Sequence, residues 1–92
     1  MNIQIEATDT FFLQCVQSEV DRARAKFPAP NPTLAALAEE VGELSKAMLH
    51  IRGGKHGDWK RVWDEAVQVA AMAMRAATEG DATINATPPG KT

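Results

Sequence analysis

Apolar side chains recur along the chain at steps of three and four, the period of an α-helix, and nowhere alternate at the period of two that marks a half-buried strand. The pattern predicts three helices. In the first, about Asp9 to Phe27, the stripe is Phe12, Val16, Val20, Ala23 and Phe27, with Arg22, Arg24 and Lys26 near the C-terminal end, where cations favour the helix dipole. The run FPAPNP ends it. Asn31 before Pro32 reads as an N-cap with proline at the first helical position, opening a second helix of about Pro32 to Ile51. Its stripe of Leu34, Leu37, Val41, Leu44, Met48 and Ile51 is that of a helix packed along a long, nearly antiparallel seam. RGGKHG interrupts the pattern. Asp58 is placed to cap a third helix of about Trp59 to Glu79, closed by Gly80 at the usual C′ position.

That third helix differs from the others. Between Trp59 and Ala77 its apolar side chains cover most of the circumference, so it has to be covered on more than one side. Two other helices from the same chain are too few for this, and the AAMAMRAA stretch is therefore expected to meet another subunit as well. The expected fold class is all-α, a helical bundle with three main helices per chain and a core completed by oligomerisation. Residues 1–80 are read as one domain, and residues 81–92, DATINATPPGKT, as a flexible C-terminal tail.

Composition narrows the reading. A chain of 92 residues makes one small domain, which buries only about 60 to 65% of its unfolded surface and gains from partner subunits. Ten Lys plus Arg against twelve Asp plus Glu give a net charge of −2, which argues against nucleic acid as a partner. The single cysteine, Cys15, has no internal disulfide partner and is read as a packing residue. The first residues are acidic where an export signal carries positive charge, and no apolar run approaches the length of a membrane span. The expectation is a cytoplasmic protein with no membrane association.

Chemistry concentrates in the second helix, at Ala38-Glu39-Glu40-Val41-Gly42-Glu43-Leu44. At 100° per residue Glu40 lies beside the Leu37/Val41/Leu44 face and Glu43 one turn along on the same flank. Glu65 and Gln68 repeat this i, i+3 geometry on the third helix, so two helices offer facing polar pairs. Carboxylates gathered near an apolar core repel one another and lose hydration, which favours proton uptake or a bound cation. A hard divalent ion suits such oxygen ligands: Mg²⁺ with waters and phosphates completing its octahedron, or Mn²⁺ on the same set. Between the two pairs lie Arg52, Lys55, Lys60 and Arg61, placed to meet phosphate charge, and Gly53, Gly54 and Gly57 would let that segment approach a ligand closely. An E-x-x-E alone is most often a solvated face, and RGGKHG, which lacks the spacing of a P-loop, is more often a plain turn. His50 and His56 are read as exposed or locally hydrogen-bonded. Phe11, Phe12, Trp59 and Trp63 can stack a nucleobase but at helical spacing are more often core.

L-A-A-L-A-E-E-V-G-E-L, followed later by Glu65-Ala66-Val67-Gln68, resembles the E-E-x-x-E … E-x-x-D signature of MazG-like nucleotide pyrophosphohydrolases, part of the all-α NTP pyrophosphatase group. The likeness runs over roughly Leu34 to Asp81, and V-Q-V-A-A-M-A-M-R-A-A-T-E-G-D is similar to small bacterial and phage MazG-like proteins. The resemblance implies an all-α bundle assembled as a dimer or a dimer of dimers. It also implies Mg²⁺-dependent hydrolysis of a nucleoside triphosphate to the monophosphate and pyrophosphate. Glu40, Glu43 and Glu65 are then expected to hold Mg²⁺ directly or through water. Glu39 serves as a further ligand or as the base that orients the attacking water, Gln68 completes the ring, and Lys55, Lys60 and Arg61 meet the phosphates. One position departs from the pattern: Gln68 stands where the family has Asp, and a neutral amide can coordinate through its carbonyl without balancing cation charge. The alternatives are a nucleotide and metal sensor without turnover, or a purely structural oligomeric module.

Overall fold

The structure, a computed structural model, describes residues 7–52 and 58–90. Lys55 and the glycines and His56 of RGGKHG lie outside the described residues. Three helices form where the periodicity puts them, α1 (Asp9–Lys26), α2 (Thr33–Arg52) and α3 (Trp59–Glu79), and among the described residues no strand occurs. A short 3₁₀ turn, η1 (Ala82–Ile84), follows. Two helices begin under a side-chain cap. The Thr8 hydroxyl accepts from the Phe11 N–H at 3.2 Å, and Asp58 accepts from the Lys60 N–H at 2.9 Å. Gly80 ends α3 with φ of 72°, and a Cβ there would run into the Ala86 carbonyl oxygen, so both the backbone angle and the space require glycine.

α3 is the middle helix: α1 and α2 each pack against it and do not touch one another. Between α1 and α3 lies the apolar core. Val16 and Val20 meet Val67 and Ala71, with Phe12, Cys15, Trp63, Ala70 and Met74 packed around them. The Trp63 ring stacks on Phe11 at 5.5 Å between centroids and takes the edge of Phe12 at 5.3 Å. Each fully buried valine contributes about 1.5 kcal/mol, and such aromatic pairs add about 0.5 to 1.5 kcal/mol each. Phe11, Phe12 and Trp63 thus pack as the helical spacing suggests, whereas Trp59 is exposed.

The α1/α3 contact is closed at one end by charge. Arg75, 1% exposed, makes two hydrogen bonds to Glu79, at 2.9 and 2.8 Å, and another to the Phe27 carbonyl at 2.7 Å, while Arg24 of α1 reaches the same Glu79 carboxylate at 2.9 Å. The Arg75 guanidinium, helped by that of Arg24, holds the Glu79 pKa down to about 2.

Three sequence expectations are refined. First, α3 lies between α1 and α2 of the same chain, which cover part of its apolar surface: Val62, Val67 and Ala71 are buried, Val69, Met72 and Met74 half-buried, and Trp59, Ala73 and Ala77 exposed. Further exposed apolar surface lies on α2. Leu34, Val41 and Met48, 45 to 53% exposed, run down the outer side of α2 and are joined there by Leu49 and Ile51. Second, the α2 stripe is split: Leu37 and Leu44 lie on the side toward α3, while Leu34, Val41 and Met48 are exposed. The buried α2 residues are Thr33 and Ala47, and between them the less exposed positions are Ala36, Leu37, Glu40, Glu43 and Leu44. Third, the side chain that caps α2 comes from the far end of the chain. Asp81, buried at 3% exposure, accepts from the Leu34 N–H at 2.8 Å through one carboxylate oxygen and from the Thr83 N–H at 2.9 Å through the other. The Asn31 carbonyl accepts from the Thr33 N–H instead.

The start of the segment expected to be a loose tail is therefore tied to the domain. Asp81 and Ala86 exchange two backbone hydrogen bonds, at 2.8 and 3.0 Å, around η1. The Thr33 hydroxyl donates to the Gly80 carbonyl at 2.8 Å. Hydrogen bonds from the Thr83 hydroxyl first, then from the Leu34 N–H, hold the Asp81 carboxyl below its usual range.

Candidate functional site

The face that α2 turns to α3 carries Leu37 and Leu44 among small and acidic residues, and it brings Glu40 beside Glu65. Glu40 titrates above the ordinary carboxylate range, first because it is partly buried, then through the charge and hydrogen bond of Glu65, and finally through the charges of Glu39 and Glu43. A carboxylate crowded by others in this way is a place where a cation is favoured.

The remaining expected site residues lie around this pair at different distances from it. Glu43, one turn along α2, faces Arg61 of α3 at 3.6 Å, both half-exposed. Glu39 is exposed on the adjoining flank of α2. Lys60 turns along its own helix to Asp64 at 2.7 Å. Gln68 points away from α2: its amide lies against Glu19 of α1. Among the described residues no group of three or more His, Cys, Asp or Glu side chains is gathered tightly enough to hold a metal ion. The carboxyls brought together are two, with a third within one helical turn.

On the other side of α3, between it and α1, is an open groove of about 490 Å³ lined by Cys15, Glu19, Arg22, Trp63, Val67 and Gln68 among others. Arg22 grips Glu19 with hydrogen bonds of 2.7 to 3.0 Å, and this, with Gln68, holds the Glu19 carboxyl below its ordinary value. Sequence reasoning missed Glu19 and Arg22 as site neighbours. The signal was present as an i, i+3 acid–base pair one residue off the apolar stripe of α1, a spacing that most often marks plain surface.

No family model, curated protein or solved structure matches the chain.

Proposed function

We propose that the protein is a MazG-like nucleoside triphosphate pyrophosphohydrolase whose divalent-ion centre is the Glu40/Glu65 pair. The observation that carries this reading is the pair itself, two carboxyls on facing helices with a raised demand for positive charge. Mg²⁺ is commonly bound by one or two carboxylates, with waters and substrate phosphates filling its octahedron, so the donor set fits that ion, or Mn²⁺. Glu40 and Glu65 would hold the ion, which would supply positive charge against the charge that develops on a phosphate attacked by water. Glu43 is available as a further ligand when Arg61 turns from it to a phosphate. Glu39, exposed beside Glu40, orients the attacking water, and Lys60 offsets phosphate charge. The groove between α1 and α3 offers room for the nucleoside, with Gln68 one turn beyond Glu65.

The outer stripe of α2 supports the accompanying proposal that the protein works as a homo-oligomer, a dimer or dimer of dimers, since Val41 and Met48, with Leu34, form an exposed apolar patch that a second copy would cover. The orientation of Gln68 favours a second reading, a sensor that binds nucleotide and metal without turnover, because the carboxylate ring is then one ligand short. A pyrophosphate-release screen of the common NTPs and dNTPs with Mg²⁺ and Mn²⁺ separates the two. Release that disappears in Glu40→Gln supports the enzyme, and saturable Mn²⁺ and nucleotide binding without release supports the sensor. Absence of both removes the proposal.

A further inference from the structure

The seam between α2 and α3 carries Leu37 and Leu44 between the buried Thr33 and Ala47, and in its middle it holds Glu40 and Glu65, two carboxyls that repel when ionised. The leucines supply apolar contact along the seam, and a change of axial register is the motion that would separate the two carboxyls. At the C-terminal end of α2 the chain itself connects the two helices. At the other end two polar contacts do so, the Leu34 N–H to Asp81 and the Thr33 hydroxyl to the Gly80 carbonyl, with the η1 turn holding Asp81 in place. Thr33 and Asp81 are among the most buried polar residues of the protein, and among the described residues no buried side-chain nitrogen or oxygen lacks a partner.

We propose that Asp81, together with Thr33, is a positioning residue of the carboxylate site, a latch that sets the axial register of α2 on α3 and thereby the separation of Glu40 from Glu65. Thr33 and Glu40 are two helical turns apart on one rigid helix, so a slip at the latch is transmitted undiminished to the carboxyl pair. The consequence for metal binding rests on the function proposed above; the register does not.

Two measurements on the full chain test this. Spin labels at Lys46→Cys on α2 and Ala77→Cys on α3, in a Cys15→Ala background diluted with unlabelled chain, report the axial offset. With the latch intact one narrow distance is expected. Asp81→Ala and Thr33→Val broaden it or shift it by up to about 5 Å, one helical turn. An unchanged distance in either folded variant overturns the proposal. In the unlabelled protein, Mn²⁺ affinity by electron paramagnetic resonance is expected to fall about tenfold in both variants, the scale seen when residues that orient metal ligands are lost. Thr33→Ser, which keeps the hydroxyl, restores it. Val16→Ala supplies the control, since it weakens the α1/α3 core without touching the latch and should lower Tm while leaving Mn²⁺ affinity within twofold. If affinity instead follows Tm equally in Val16→Ala and Asp81→Ala, Asp81 is only structural. Should Asp81→Ala fail to fold, Asp81→Asn, which keeps one carbonyl acceptor, carries both readouts beside Thr33→Val. A parent protein that binds no Mn²⁺ sinks the pyrophosphohydrolase reading, and the label distances still decide the latch.

Discussion

α3 presents two unlike sides. Toward α1 it places Val67, Ala71 and Trp63 in an apolar core closed by the buried Arg75–Glu79 pair; toward α2 it places Glu65 against Glu40 in a seam that also holds Leu37 and Leu44. The first side pairs the charge it buries, and the second leaves Glu40 partly buried beside another carboxyl. Their responses to pH consequently have opposite signs. Glu79 is held down to about 2, so its contribution is complete above the ordinary carboxylate value of 4.5 and is lost as pH falls toward 2. Glu40 is raised, so the folded protein binds the extra proton, and the seam loses stability as pH climbs through the interval above 4.5. The comparison indicates where this small domain keeps its stability and where it tolerates strain, and strain of this kind is a common mark of functional sites.

The largest expected effect comes from breaking the charged closure on the α1 side. Glu79→Ala leaves Arg75 buried with only the Phe27 carbonyl, and should cost about 3 to 5 kcal/mol in urea unfolding at neutral pH. A cost below about 1 kcal/mol would mean that Arg75 is hydrated in solution and that the two sides are less different than described.

Next comes a matched pair of valines. Val20→Ala in the α1/α3 core should cost about 2 to 3 kcal/mol from lost burial and the cavity left behind. Val41→Ala on the outer side of α2 should change the stability of a lone chain by less than about 0.5 kcal/mol. Sedimentation sharpens the contrast: if the α2 stripe is covered by another copy, Val41→Ala weakens association, and if association is unchanged the stripe is not the contact.

Glu40→Gln should act weakly and in the other direction, stabilising the metal-free protein by a few tenths of a kcal/mol near neutral pH, about the scale of like-charge pairs on helices. The gain should shrink as pH falls toward 4.5, where the parent is itself protonated. Melting curves from pH 4 to 8 would read it, and a gain of constant size across that range would show that the carboxyl pair is not its source.

The smallest change is expected from Lys60→Ala, which removes a solvent-exposed pair with Asp64 and should alter stability by less than about 0.5 kcal/mol. If Lys60 meets phosphates, the same variant raises KM in the pyrophosphate assay, separating its two roles.

What the sequence determined by itself was local. The helix positions, the cap at Asp58, the glycine stop at Gly80 and the α1 stripe through Val16 and Val20 follow from spacing and backbone chemistry, which act within a few residues. The pairing of Glu40 with Glu65 was also legible, because each lies on a predictable flank of its own helix. The tertiary structure decided which of two α2 faces meets α3. The stripe of Leu34, Leu37, Val41, Leu44 and Met48 is wide enough to face either way, and packing splits it: Leu37 and Leu44 go to α3 with Thr33 and Ala47, and Leu34, Val41 and Met48 stay exposed. It also decided the partner of Gln68, since one turn of α3 is enough to rotate a side chain from the α2 side to Glu19 on the α1 side. Asp81 belongs to the same class: its sequence neighbourhood is turn-like, and its role as the cap of α2 exists only once the chain has brought the end of α3 back to Leu34.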